Sequence, residues 1–322
     1  MDDRETYLQR IGELVDRAAW RQALKVCDQA IVAHPDCAEV HDYLGIILCR
    51  MGRYREALPA YDRAISIEPE FVPALLDKAE LLVYHLHEDA QAIALTDRVI
   101  RLAGQDVDAA HAHYLKGIAY ANLARHEEAV ECFDLAITID PEYPDSLCEK
   151  GVSQFESYRF GDALRSLKAA AALDPTYARP HHYLACVYEH VGEDDLAQRE
   201  DRIAAELEGE AYPLPLSLTE EDFASALREA INVLPREVTR ALAGIKIESR
   251  WLPDRRLLAD GDARPSVSAL QLEVGGEPMM LLFQRNLERA VRARPELIEE
   301  IAHAIAHELG HPELPEGDPH RG

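Results

Sequence analysis

The residues of this chain best able to do chemistry lie near its C-terminus, where His307-Glu308-Leu309-Gly310-His311 spells H-E-x-x-H. Two histidines four apart on a helix project from one face, so both imidazoles can reach one metal ion. The glutamate beside the first can hold an attacking water. A zinc ion bound this way lowers the pKa of that water toward about 7, Glu308 accepts its proton, and the hydroxide attacks a peptide carbonyl. The pattern therefore predicts one bound Zn2+ with His307 and His311 as ligands and Glu308 as general base.

A second frame overlaps the first. His303, His307 and His311 stand at i, i+4 and i+8. On a helix they lie roughly 160° around from the apolar stripe Leu297, Ile301, Ile305 and Leu309. Positions i and i+8 are about 12 Å apart, so only neighbours can share a metal. His303 with His307 reads H-A-I-A-H, and Gly310 and Glu313 then complete H-x-x-x-H-x-x-G-x-x-E. In this frame Ala304 replaces the base, and Glu313 is the acidic ligand.

These residues need a helix and something for its stripe to cover. The helix is expected to start near Pro295. Upstream, Thr219 is an N-cap with Asp222 three residues on, and Phe223, Leu227, Ile231 and Leu234 follow at helical spacing up to Pro235. Ile245 and Ile247 alternate with polar residues, as do Leu270, Leu272 and Val274. Gly275-Gly276 then turns the chain into a strand over Met279 to Phe283. Helix, small sheet and helix predict an α+β domain over 217–322.

The segment from about 219 to 311 resembles the small bacterial zincin-like metallopeptidases described as minimal matrix-metalloprotease-like proteins. The residues that carry the resemblance are Leu281-Leu282-Phe283-Gln284-Arg285-Asn286-Leu287-Glu288-Arg289, Pro295-Glu296-Leu297, Ile301, Ala304-Ile305 and the H-E-x-x-H. It implies a zincin-like fold, the His307/His311 frame, and an acidic third ligand after the helix. That family has a glycine three residues beyond the second histidine and the ligand three further on. Here Leu314 and Gly317 occupy those places, and Asp318, one residue late, becomes the implied third ligand.

The chain before the prolines of Pro213-Leu214-Pro215 reads differently. Ala23 and Ala57 are 34 residues apart, as are Pro35 and Pro69, Ala129 and Ala163, Gly117 and Gly151, and Pro141 and Pro175. That period marks a helix-turn-helix solenoid. Leu44-Gly45, Gly52, Tyr54, Ala57, Tyr61, Ala64 and Pro69 resemble the tetratricopeptide repeat, as do Gly117, Tyr120, Ala129, Phe133, Ala136 and Pro141. About six repeats are expected over 4–207, with 208–216 as linker. The third carries extra residues near His85-Leu86-His87-Glu88. The sixth has Asp201 where an apolar residue belongs, which fits a terminal unit with no neighbour to bury against. Such solenoids bind peptides or proteins in a groove lined by the first helix of each repeat. Asp42, Tyr114 and His182 fall on groove positions.

Net charge of −25 disfavours nucleic acid and anionic membrane as partners. Residues 1–212 hold 40 of the acids against 21 bases, so the repeats carry most of the negative field. No apolar run is long enough to span a membrane, the start Met1-Asp2-Asp3-Arg4 is no signal peptide, and six scattered cysteines without C-x-x-C read as reduced thiols. A cytoplasmic location follows. Two functions remain: a zinc metallopeptidase whose repeats hold a protein substrate or regulator, or a non-catalytic interaction scaffold with a degenerate zincin domain.

Overall fold

The structure, a computed structural model, describes residues 4–259 and 263–311 and divides into two compact units, Met1–Ser153 and Gln154–Gly322. The first unit holds the helix pairs α1 (Arg4–Asp16) and α2 (Trp20–Ala33), α3 (Ala38–Arg50) and α4 (Tyr54–Ile67), α5 (Val72–Leu81) and α6 (Asp89–Ala103), and α7 (Val107–Asn122) and α8 (His126–Ile139). Helix α9 (Pro144–Glu156) spans the division. The second unit continues with α10 (Phe160–Leu173), α11 (Ala178–His190) and α12 (Asp194–Glu208).

The periodic small residues are small because helices cross there. Ala23, Ala57, Ala129 and Ala163 are fully buried. A Cβ on Gly45 would meet the Tyr61 ring at 2.4 Å, and one on Gly117 would meet the Phe133 ring at 2.5 Å. The aromatic of each second helix thus fills the notch left by the glycine of the first. A second periodicity escapes the sequence. In the turn within each helix pair one residue is left-handed, namely Ala18, Gly52, His87, Ala124, Tyr158 and Gly192. The extra residues of the third repeat become a π-helical turn over Leu82–Leu86 that continues α5 and ends at left-handed His87. A wider turn absorbs an inserted residue without breaking the helix.

No strand precedes residue 210 among the described residues. Within the second unit follow α13 (Glu220–Val233), α14 (Arg236–Ala241), β1 (Lys246–Arg250), α15 (Arg255–Ala259), β2 (Ala269–Val274), β3 (Glu277–Phe283), α16 (Gln284–Arg289) and α17 (Arg294–Glu308). Thr219 caps α13 by accepting from the Asp222 amide at 3.1 Å. The sheet order is β1-β3-β2, with β1 parallel and β2 antiparallel to β3. Gly275 and Gly276 both have positive φ, as a two-residue turn between right-twisted strands demands. Phe223, Ala226, Met280, Leu282, Leu297, Ile301 and Ile305 form its core. Leu297, Ile301 and Ile305 of the expected stripe are fully buried, and Leu309, just past the end of α17, is half-buried. The short helices α14, α15 and α16 do not stand out in the sequence, because one or two turns give too few residues to show a period.

Asp201 corrects the expectation of a solvent-facing terminal repeat. It is 5% exposed, and α16 covers it. Arg289 donates to both Asp201 oxygens at 2.5 and 3.2 Å and pairs with Glu189 at 2.8 Å. Arg285 reaches the same Glu189 at 2.5 Å. All four side chains are nearly excluded from water. The polar residue in an apolar slot thus marks a neighbour of opposite charge rather than the absence of a neighbour.

Candidate functional site

The H-E-x-x-H segment is the first candidate. Its helix stops at Glu308. The His311 amide donates to the Ala306 carbonyl at 2.8 Å and the Gly310 amide to the His307 carbonyl at 2.9 Å, with Gly310 at φ 77°. This glycine stop satisfies the last carbonyls and turns the chain away from the helix axis. The expectation that His307 and His311 share a helical face is corrected by it: His311 lies beyond the helix end. His307 projects outward with its side chain 76% exposed, and His303, one turn earlier, is also exposed. The Glu308 carboxylate accepts from the Gln271 amide of β2 at 3.0 Å. Since β2 is an edge strand, that amide has no strand partner on its outer side, and Glu308 supplies one. Glu313 and Asp318 lie outside the described residues. Among the described residues, no three His, Cys, Asp or Glu side chains converge as a metal site. A catalytic zinc needs three protein ligands around an open position, and the third ligand of either frame falls outside the described residues.

The groove residues behave differently from one another. In the second unit, the His182 ring packs at 4.8 Å against Tyr212, just beyond α12. Burial, with Arg289 and Arg179 nearby, pushes its pKa down to about 3, so it is neutral and covered by the chain's own linker. In the first unit, the Tyr114 hydroxyl meets that of Tyr84 at 3.1 Å, and its ring packs against Tyr143 at 5.2 Å. Tyr84 remains 41% exposed.

Asp42 on α3 is 6% exposed, and its Oδ1 is buried with no hydrogen-bond partner. Burial first, then the charges of Asp77 and Glu39, raise its pKa to about 8. Asp77 on α5 is raised to about 7 by burial and by Glu80, against the pull of Arg50. The Tyr61 hydroxyl, in weak contact with the Cys49 thiol at 3.7 Å, feels both aspartates. No cation forms a salt bridge with Asp42 or Asp77 among the described residues. Asp77, Glu80 and Tyr84 do not emerge from the sequence, because the third repeat matches the pattern poorly and yields no groove positions, although α5 starts 34 residues after α3. The arginines of α16 stood in view, but only as carriers of a family resemblance. The six cysteines are free, and all but Cys49 are buried.

Residues 38–71 and 110–143 each match the tetratricopeptide repeat family. The chain carries these repeats. Among curated relatives, human Protein O-mannosyl-transferase TMTC1 is 24% identical over 52% of this chain and 18% of its own length. The Arabidopsis thaliana TPR repeat-containing thioredoxin TTL4 is 34% identical over 23% of this chain and 11% of its own. Bacillus subtilis YpiA, a TPR repeat-containing protein, is 28% identical over 48% of this chain and 36% of its own. The chain thus spans well under half the length of each. Among solved structures, PilW, a type IV pilus biogenesis factor, superposes with a TM-score of 0.59 at 17% identity, covering 63% of this chain and 92% of PilW. Pseudomonas aeruginosa PilF gives 0.57 at 16%, covering 69% and 96%. At these identities the likeness concerns the fold. No helix among the described residues is long and apolar enough to cross a membrane.

Proposed function

We infer that this chain is an interaction scaffold whose tetratricopeptide repeats hold a peptide or protein. One observation carries the reading. On the first helices of the third and fourth repeats, Tyr84 and Tyr114 form a hydroxyl-linked pair, with Tyr84 left open to solvent. Tyr114 is 8% exposed and packs in the core of the repeats, so Tyr84 is the member of the pair that can meet a partner. The C-terminal α+β module serves as a cap on the last repeat. It covers Glu189 and Asp201 with Arg285 and Arg289, and its H-E-x-x-H closes a helix and pairs a sheet edge.

A photoreactive benzoylphenylalanine at Tyr84 in the full chain, expressed in its native host, tests the reading. A discrete cross-linked adduct is expected there and none from the same group at Leu135, an exposed residue of the second-helix side. Equal labelling from both positions, or none from Tyr84, rejects the scaffold role for this surface.

A further inference from the structure

The recess around Asp42 asks for something that the chain does not supply. A carboxylate oxygen removed from water without a hydrogen bond is costly, and a second carboxylate beside it raises the cost. Proteins commonly settle such a debt with an arginine or lysine. Here the repeats do use that device close by, on their outer edges: Lys78 pairs with Asp62 at 2.6 Å, and Lys116 with Asp97 at 2.7 Å. Arg50, whose charge pulls the Asp77 pKa down, is exposed and bonds to neither aspartate. Cations are thus available in the unit, yet none enters.

The acidic groups here are graded in burial. Asp42 is 6% exposed, and Tyr61, whose hydroxyl feels its charge, is 2% exposed. Asp77 is half-buried, and Glu80, one helical turn further along α5, is exposed. An exposed acidic cluster would be an ordinary solvated surface. A buried, unsatisfied oxygen at its base is different, since it gains a partner only when a donor enters.

We propose that this recess between α3 and α5 receives the cationic end of a lysine or arginine side chain from an extended partner segment, with Asp42 at its floor and Asp77 and Glu80 at its rim. The proposal rests on the scaffold reading and deepens it by naming the chemistry recognised. The surrounding field agrees in sign, since residues 1–212 carry 40 acids against 21 bases.

Random heptapeptides displayed on phage and selected on the immobilised full chain test it. Lysine or arginine should be enriched at one position of the selected peptides. For a selected peptide, Asp42→Asn should weaken binding at least about tenfold, as loss of a buried charge partner does. Replacing the peptide's basic residue by citrulline or norleucine should cost as much, and the two losses should not add. Asp28→Asn removes one charge from the exposed face of α2 and should leave affinity within about twofold. Selected peptides that need Tyr84 but show no basic residue, or that bind Asp42→Asn as well as wild type, overturn the cation recess and leave the scaffold standing. Equal losses in Asp28→Asn and Asp42→Asn overturn it as mere net charge. If no peptides are selected, or all are indifferent to both Tyr84→Ala and Asp42→Asn, both readings fall.

Discussion

At the scale of single residues, Asp42 and Glu308 make opposite use of a carboxylate. Asp42 holds an oxygen out of water without a partner, so folding raises its pKa from 3.8 to about 8. The folded state therefore binds its proton more tightly than the unfolded chain. The cost of ionisation is absent below about pH 4, grows with rising pH, and is complete above about 8. Asp42→Asn removes it. Urea unfolding should find the variant similar to wild type at pH 4 and more stable at pH 8 by at least about 1.4 kcal/mol, one pKa unit's worth. A difference that does not change with pH contradicts the buried carboxylate. Glu308 instead spends its charge on the Gln271 amide. Glu308→Ala should cost about 1 kcal/mol of stability, and Glu308→Gln, which keeps an acceptor, much less. A stoichiometric zinc that disappears in His307→Ala would reinstate the hydrolytic reading.

Among the elements, the turns between paired helices show how a repeat tolerates divergence. Each needs one left-handed residue, and only Gly52 and Gly192 of the six are glycines. An L-residue with a Cβ is strained there by roughly 1 kcal/mol. Ala124→Gly should therefore raise stability by about 0.5–1 kcal/mol, although the same change inside α7 or α8 would lower it. Thermal unfolding decides, and a loss of stability at Ala124 would refute the strain argument. Helix α17 shows the converse economy. Gly310 supplies the left-handed stop, and this single backbone angle separates His311 from the helical face that carries His307.

For the molecule as a whole, the join between the last repeat and the α+β module within the second unit is electrostatic. Glu189 and Asp201 come from α11 and α12, and Arg285 and Arg289 come from α16. Removing one partner of a buried ion pair leaves an uncompensated charge, whereas removing both together is far milder. Arg289→Met should therefore cost about 3 kcal/mol, and amide exchange should rise in α11 and α12. Adding Asp201→Leu to that variant should recover much of the loss. Equal or additive losses in the double variant would mean that packing rather than charge holds the module.

Much of this was legible in the residues alone. The 34-residue spacing of alanines, glycines and prolines determined the helical repeats, because a solenoid must bring small residues to every crossing. The alternation at Leu270–Val274, the Gly275-Gly276 turn and the stripe of α17 determined the small sheet and its covering helix, because burial imposes a period. Those signals are local. Whether His311 stays on the helix depends on a left-handed glycine two residues after Glu308, and a motif read by spacing assumes the helix continues. Asp201 looked like a free surface because its partners lie 84 and 88 positions away, on a helix too short to show a period. Asp42 carried a groove assignment, but its missing partner became visible only when every neighbouring side chain had a place. Tertiary structure decided these cases because charge satisfaction and burial are set by what folding brings together, and no sequence window contains both members of such a pair.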